Sequence, residues 1–309
     1  DSYVFCRQVE DDETWGEALD KAAGIGVMNF GVGNYGADQG LLRYEATALP
    51  TSVRVAILGF VPETVCRIQS YWKHYLEFGN TFAFKPRFRR TEGDGLALCE
   101  SAMQSEADFA ALREKLPGIQ TVDGFYARKF RSVQFRIPYL LSFSRHPSRH
   151  ATLITALLLR RLARALGRPV ARLEGLPFAL IMRWNIADAH RLYDDRDATD
   201  LLRRILLRFH ASAVERGHQP LVLVLPQLID LRAGTQAIKP YQPFFRELAD
   251  SIPVLDMTPI LQQHPQSDLY VEDQYGGHLS ARGNAIVAEH LASWLTAHSA
   301  ATPAPTHAR

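Results

Sequence analysis

The stretch ATDLLRRILLRFHASAVERGHQPLVLVL, residues 198–225, decides the fold class. In its first part Leu202, Ile205, Leu206 and Phe209 recur at the three- and four-residue spacing that places side chains on one face of a helix. Gly217 stops that pattern, since glycine readily takes the left-handed conformation that closes helices. The run from Pro220 to Leu225 is then apolar without alternation, as in a strand covered on both faces. A helix feeding directly into a doubly covered strand is half of a parallel α/β unit.

The same rhythm extends outward in both directions. Toward the N-terminus, Asp11 to Ala23 places Trp15, Leu19 and Ala22 at helical spacing and ends at Gly24. Ile25 to Phe30 reads as a short buried strand, Gly31 to Gly36 as a glycine-rich turn, and Asp38 to Ala48 as a helix closed by Pro50. Val53 to Gly59 (VRVAILG) is the next strand, and Pro253 to Asp256 a short later one. The last helix comes after Ser280, a suitable N-cap, and aligns Ile286, Val287, Leu291 and Trp294 on one stripe. The expected architecture is a three-layer α/β/α sandwich around a mainly parallel sheet, in one domain spanning 1–297. Residues 65–175 break the rhythm and read as a large insertion, and the tail after Ser299 has no apolar period and reads as disordered.

Composition agrees with a folded globular chain of 309 residues: 47% is apolar and 22% charged, which excludes extended disorder and fibrous repeats. The longest apolar runs, such as Phe178–Met182, fall far short of the roughly 20 residues needed to span a bilayer as a helix. Cys6, Cys66 and Cys99 are too widely spaced for a redox pair or a zinc knuckle and read as core thiols.

Net charge is only +2, yet 11 Arg or Lys and no Asp or Glu occur between Gly124 and Leu173. Within that segment Leu153, Ile154, Leu157 and Leu158 share a helical face, and Arg160, Arg161, Arg164 and Arg168 come after them. Two readings stand: a packed helix with a solvated basic face, or a contact surface at 124–173 for an acidic polymer or an anionic membrane. Nucleic acid is not expected, because no recognisable binding module accompanies the charge.

Gly31-Val32-Gly33-Asn34-Tyr35-Gly36 fits G-x-G-x-x-G between a strand and a helix, which raises a dinucleotide-binding reading through Gly31, Gly33 and Gly36. That reading requires an acidic residue about 20 positions on, at the end of the next strand. The strand ends Ala56-Ile57-Leu58-Gly59-Phe60, and Glu63 comes later, beyond a proline. The dinucleotide reading therefore ranks low.

Three blocks occur in order along the chain. Asp1-Ser2-Tyr3 comes first, with Val9-Glu10-Asp11-Asp12-Glu13-Thr14-Trp15 after it; Val27-Met28-Asn29-Phe30 through the glycine turn to Ala37-Asp38-Gln39 is the second; Gly276-Gly277-His278-Leu279-Ser280-Ala281-Arg282-Gly283-Asn284 precedes the final helix. This arrangement resembles the GDSL-type (SGNH) hydrolase superfamily, over residues 1–60 and 220–297. The segment Phe84-Lys85-Pro86-Arg87-Phe88 is similar to one found in a subgroup of these hydrolases, with no chemistry attached to it. The resemblance implies a flavodoxin-like sheet with a strand leading into Asp1-Ser2, so a chain starting at Asp1 would lack a central strand and reads as truncated.

The resemblance also implies an esterase that acts on an acyl ester, either an O-acyl group on carbohydrate or a small lipid ester, without metal or organic cofactor. Ser2 would be the nucleophile and His278 the general base. The chemistry requires such a pair, because a serine hydroxyl attacks only when a base takes its proton. Oxyanion donors would be the backbone amides of Ser2 and Asn34; asparagine stands where the superfamily has a glycine, and it tolerates a left-handed backbone. The superfamily's third block, which comes between the second and the histidine block, falls on Leu58-Gly59-Phe60-Val61-Pro62-Glu63-Thr64 and has no asparagine donor, which leaves Thr64 as its replacement. The acid expected three residues before the histidine is Tyr275, so Asp273 is the chosen orienting carboxylate. Otherwise a backbone carbonyl holds the ring; Asp230 and Asp256 are alternatives that also read as a turn cap and a surface charge. The competing function is a non-catalytic relative that binds an acidic glycan, a membrane surface or a protein through its basic insertion.

Overall fold

The computed structural model describes residues 1–71, 83–126, 133, 137–169, 171–232, 238–271 and 276–299. Its main elements in chain order are helices α1 (Ser2–Phe5), α2 (Trp15–Ala23) and α3 (Ala37–Ala46), then strand β1 (Val55–Phe60). The hairpin β2 (Arg87–Arg90) and β3 (Leu96–Cys99) is next, then helices α4 (Tyr139–Arg145), α5 (Pro147–Ala165), α6 (Leu176–His190) and α7 (Arg196–Glu215). Strands β4 (Gln219–Val224), β5 (Val254–Asp256), β6 (Tyr270–Val271) and β7 (His278–Leu279) lead to the last helix, α8 (Ala281–Ser299).

The central sheet is parallel, in the order β1-β4-β5, with Ile57 opposite Leu221 and Leu223 opposite Leu255. Alternation along the strands sends side chains to two separate cores. Ala56, Leu58, Phe60, Val222 and Val224 meet α3 and α7, whereas Leu221, Leu223 and Leu225 meet Trp15 and Leu19 of α2 and Ile286, Val287 and Leu291 of α8. Helices therefore cover both faces, as the unalternated run at 220–225 requires.

Several expectations meet corrections. The expected strand at Ile25–Phe30 is not formed: the segment lacks secondary structure, and Met28 is exposed. A strand needs a neighbour to bond with, and here a cavity of about 610 Å³ separates this segment from Val53–Gly59. Among the described residues β1 has a partner strand on only one side. Asp11–Glu13 forms a 3-10 turn ahead of α2, so that helix starts at Trp15. Cys6 and Cys66 are buried as expected, but Cys99 is only half-buried on the hairpin. The inserted region is not separate from the body throughout, because Val65, Ile68, Phe88 and Phe125 belong to the core under α7. The expectation of a disordered tail falls, from residue 300 on, outside the described residues.

Candidate functional site

Ser2 is the first residue of α1. The Asp1 side chain caps this helix, accepting from the amides of Tyr3 (3.0 Å) and Val4 (3.4 Å). So short a helix gains little from its own hydrogen bonds. Its position is set by contacts instead. A Cβ at Gly59 would lie 2.2 Å from Val4, and one at Gly31 would lie 2.4 Å from the Phe5 amide. Glycine at both places lets α1 lie directly on the end of β1 and on the second sequence block. The Asn29 side chain bridges these parts, donating to the Val4 carbonyl (2.7 Å) and accepting from the Gly31 amide (2.8 Å).

His278 is the first residue of β7 and is buried. Its approach is fixed by Gly276 and Gly277, with φ of 103° and 85°, in the region that side chains disfavour. A Cβ at Gly277 would also lie 2.6 Å from Leu228. This turn brings the imidazole Nε2 to 3.0 Å from Ser2 Oγ, across 276 positions of sequence. The Tyr3 ring stacks on the imidazole at 4.9 Å between centroids, and the Tyr3 hydroxyl donates to the Gly277 carbonyl. With its proton on Nδ1, the neutral histidine accepts from the serine hydroxyl, which is the tautomer the chemistry needs. Ser280 caps α8 through the Gly283 amide (3.2 Å), which ties His278 to the final helix.

The second and third blocks are fastened to one another by buried charges. Lys85 bonds Asp38 in the first turn of α3, and both side chains are buried. Arg67 donates to the Tyr35 carbonyl (3.2 Å) in the glycine turn and to Glu63 Oε1 (2.6 Å) in the third block. Arg87 donates to the Gln69 carbonyl (2.6 Å) at the end of the 3-10 helix Pro62–Gln69 that carries Glu63. The segment Phe84–Phe88 thus acquires a role: Lys85 holds the start of α3, Arg87 holds the end of the 3-10 helix after β1, and Phe88 is in the core.

Asn34 has φ of 69°, the left-handed conformation that suits asparagine. Thr64 is buried in the turn after β1. Its hydroxyl has one proton, and donates it to the Val61 carbonyl (2.7 Å) within its own turn. Asp273 lies outside the described residues. Asp230 caps a turn by accepting from the Gln227 amide (2.7 Å), and Asp256 accepts from the Thr258 amide (2.9 Å). Asp230 instead faces His190, with Nε2 to Oδ1 at 3.3 Å. Burial lowers the His190 imidazole to about 4 and raises the Asp230 carboxyl to about 7, so that this pair is neutral at mildly acid pH.

Sequence reasoning missed Tyr3 as a brace for the imidazole, although it adjoins Ser2 in the first block. It also missed the Lys85–Asp38 and Arg67–Glu63 pairs; the signal for the first of these lay in the Phe84–Phe88 segment. Among the described residues no cluster of His, Cys, Asp and Glu could hold a metal ion.

In comparisons with known proteins, the chain matches no family model, no curated protein and no solved structure.

Proposed function

We propose that the chain is a serine esterase of the GDSL type, acting on an acyl ester. The observation that carries this reading is the 3.0 Å contact between Ser2 Oγ and His278 Nε2, in a ring braced by Tyr3. In the forward step Nε2 takes the Ser2 proton while Oγ bonds the ester carbonyl carbon. The carbonyl π pair moves to oxygen, where the Ser2 amide, unused by any helical bond at this first position of α1, and the Asn34 amide are the assigned donors. The imidazolium then protonates the departing alcohol as the C–O bond breaks, leaving an acyl-serine. A water molecule, deprotonated by the same histidine, reverses these events and releases the acid. Asp273 is the assigned carboxylate for Nδ1; Tyr3 and the Gly276–Gly277 turn orient the ring from the other sides. The acyl group is an ester on carbohydrate or on a small lipid.

A fluorophosphonate reporter tests this directly, because a nucleophilic serine displaces its fluoride and becomes covalently labelled. Labelling is expected for the chain as it is and lost in Ser2→Ala. Hydrolysis of p-nitrophenyl acetate is expected to fall by at least about 10⁴-fold in Ser2→Ala and His278→Ala. A folded chain that neither labels nor hydrolyses, or a Ser2→Ala variant that labels as well as the parent, ends the proposal.

A further inference from the structure

Helix α5 turns its apolar side away from the protein. Its burial is limited to small or anchoring positions: Ala156 and His150 are buried, and the Arg149 guanidinium lies 4.5 Å over the Trp184 ring of α6 and 3.8 Å from Asp188. These contacts fix which side faces inward. On the other side Ile154, Leu158 and Leu162 recur at intervals of four, continued by Leu166 just past the helix end, and all are exposed, the last three by 60%, 55% and 65%. Four-residue spacing makes one continuous stripe, about 18 Å long at 1.5 Å per residue. In the neighbouring helix α4, Leu140 is 87% exposed. A continuous apolar stripe in water marks an interaction surface.

Charge identifies what covers it. Between 137 and 168 there are six arginines and no acidic residue. Arg164 is paired with Glu174 from the next segment, but Arg161 and Arg168 are exposed beside the stripe. A second copy of the chain would bring like-charged surfaces together, which opposes docking. A nucleic acid would engage the arginines and leave the leucines in water. An anionic bilayer satisfies both groups, since the leucines enter the boundary of the acyl chains while the guanidinium groups stay among the headgroups. Among the described residues no helix is long and apolar enough to cross a membrane, so the contact would lie in the interface.

We propose that α5 docks the protein on anionic lipid surfaces, with Ile154, Leu158, Leu162 and Leu166 inserted and Arg161 and Arg168 at headgroup level. This proposal does not depend on the esterase reading. The test is co-sedimentation of the full chain with vesicles of phosphatidylcholine, with and without phosphatidylglycerol, at low and high salt. Sedimentation is expected with the anionic vesicles and is weakened by salt. Because both leucines are exposed, Leu158→Glu/Leu162→Glu keeps its fold, checked by an unchanged melting curve, and loses sedimentation. Arg161→Gln/Arg168→Gln weakens it roughly 5-fold per arginine removed. A chain that stays in solution with anionic vesicles overturns the proposal, as does a leucine variant that sediments like the parent. So does a parent that forms a dimer by sedimentation velocity, is made monomeric by the leucine variant and binds no vesicle.

Discussion

Helices α7 and α5 are nearly equal in length and both are rich in leucine and arginine, yet they turn these residues in opposite directions. In α7 Leu202, Ile205, Leu206 and Phe209 are buried against the sheet, and its arginines reach acidic partners at the rim, as Arg208 does with Glu45. In α5 the leucines at 158 and 162 face solvent, and Arg149 is among the groups that face the body. The difference lies in the element that each helix leads into. A short turn after α7 enters β4, so the helix must fold back over the sheet it feeds. No strand comes directly after α5, and its inner side rests on α6, the helix that comes next after the inserted region. A periodic pattern identifies a stripe; the connection decides which surface covers it.

The largest expected effect tests that contrast in one substitution type. Leu202→Ala removes a fully buried side chain from the core and is expected to lower stability by about 2–5 kcal/mol. Leu158→Ala, on the exposed stripe, is expected to change it by no more than about 0.5 kcal/mol. Denaturant midpoints at constant slope measure both. Equal losses would break the comparison, because they would place Leu158 in a packed interior.

Charges show the same division, and pH separates them. The half-buried His190 on α6 faces the buried Asp230 after β4, whereas Arg161 on α5 is exposed. Burial, the leading cause of both shifts, moves His190 from 6.5 to about 4 and Asp230 from 3.8 to about 7. Between about pH 4 and 6.5 the folded pair carries one proton on Asp230, and the unfolded pair carries one on the histidine. The pair therefore takes up no net proton on unfolding, and it adds no slope to stability in that window. Asp230→Asn leaves a histidine that binds its proton only when unfolded, so stability falls as pH drops from 6.5 toward 4. His190→Gln leaves a carboxyl protonated only when folded, so stability falls as pH rises from 4 toward 7. Each slope is bounded by about 1.4 kcal/mol per pH unit. Arg161→Gln changes neither. Parallel slopes in the two buried variants would show that the groups are not linked as described.

The sequence carried the helix α7 and strand β4 plainly because every interaction that defines them is local or lies in the alternation of one strand. The Ser2–His278 pair was also legible, since each residue sits in a short block, and Gly276 and Gly277 dictate the backbone ahead of His278. Ile25–Phe30 was not, because a strand exists only beside another strand, and no amino-acid preference within six residues supplies the neighbour. The direction of α5 was equally hidden: the leucine spacing gives a face, and only the anchors at Arg149 and Ala156 show that this face points outward. The bond that Thr64 makes was hidden for a third reason. A hydroxyl with a carbonyl three residues back bonds locally before it can serve a distant ligand.

That local bond sets the smallest prediction. Thr64→Val keeps the side chain's shape and removes its bond to the Val61 carbonyl, which still accepts from the residue 64 amide at 2.9 Å. No buried acceptor is left without a donor, so the expected stability loss is only about 1 kcal/mol. The rate of fluorophosphonate labelling at Ser2 is expected to stay at the parental value. Were the Thr64 hydroxyl instead to serve the oxyanion, its removal would slow the reaction by about 10²- to 10³-fold with the same small loss of stability. Rate and stability together therefore separate a hydroxyl that closes its own turn from one that acts on the substrate, and a slowed variant would return Thr64 to the catalytic machinery.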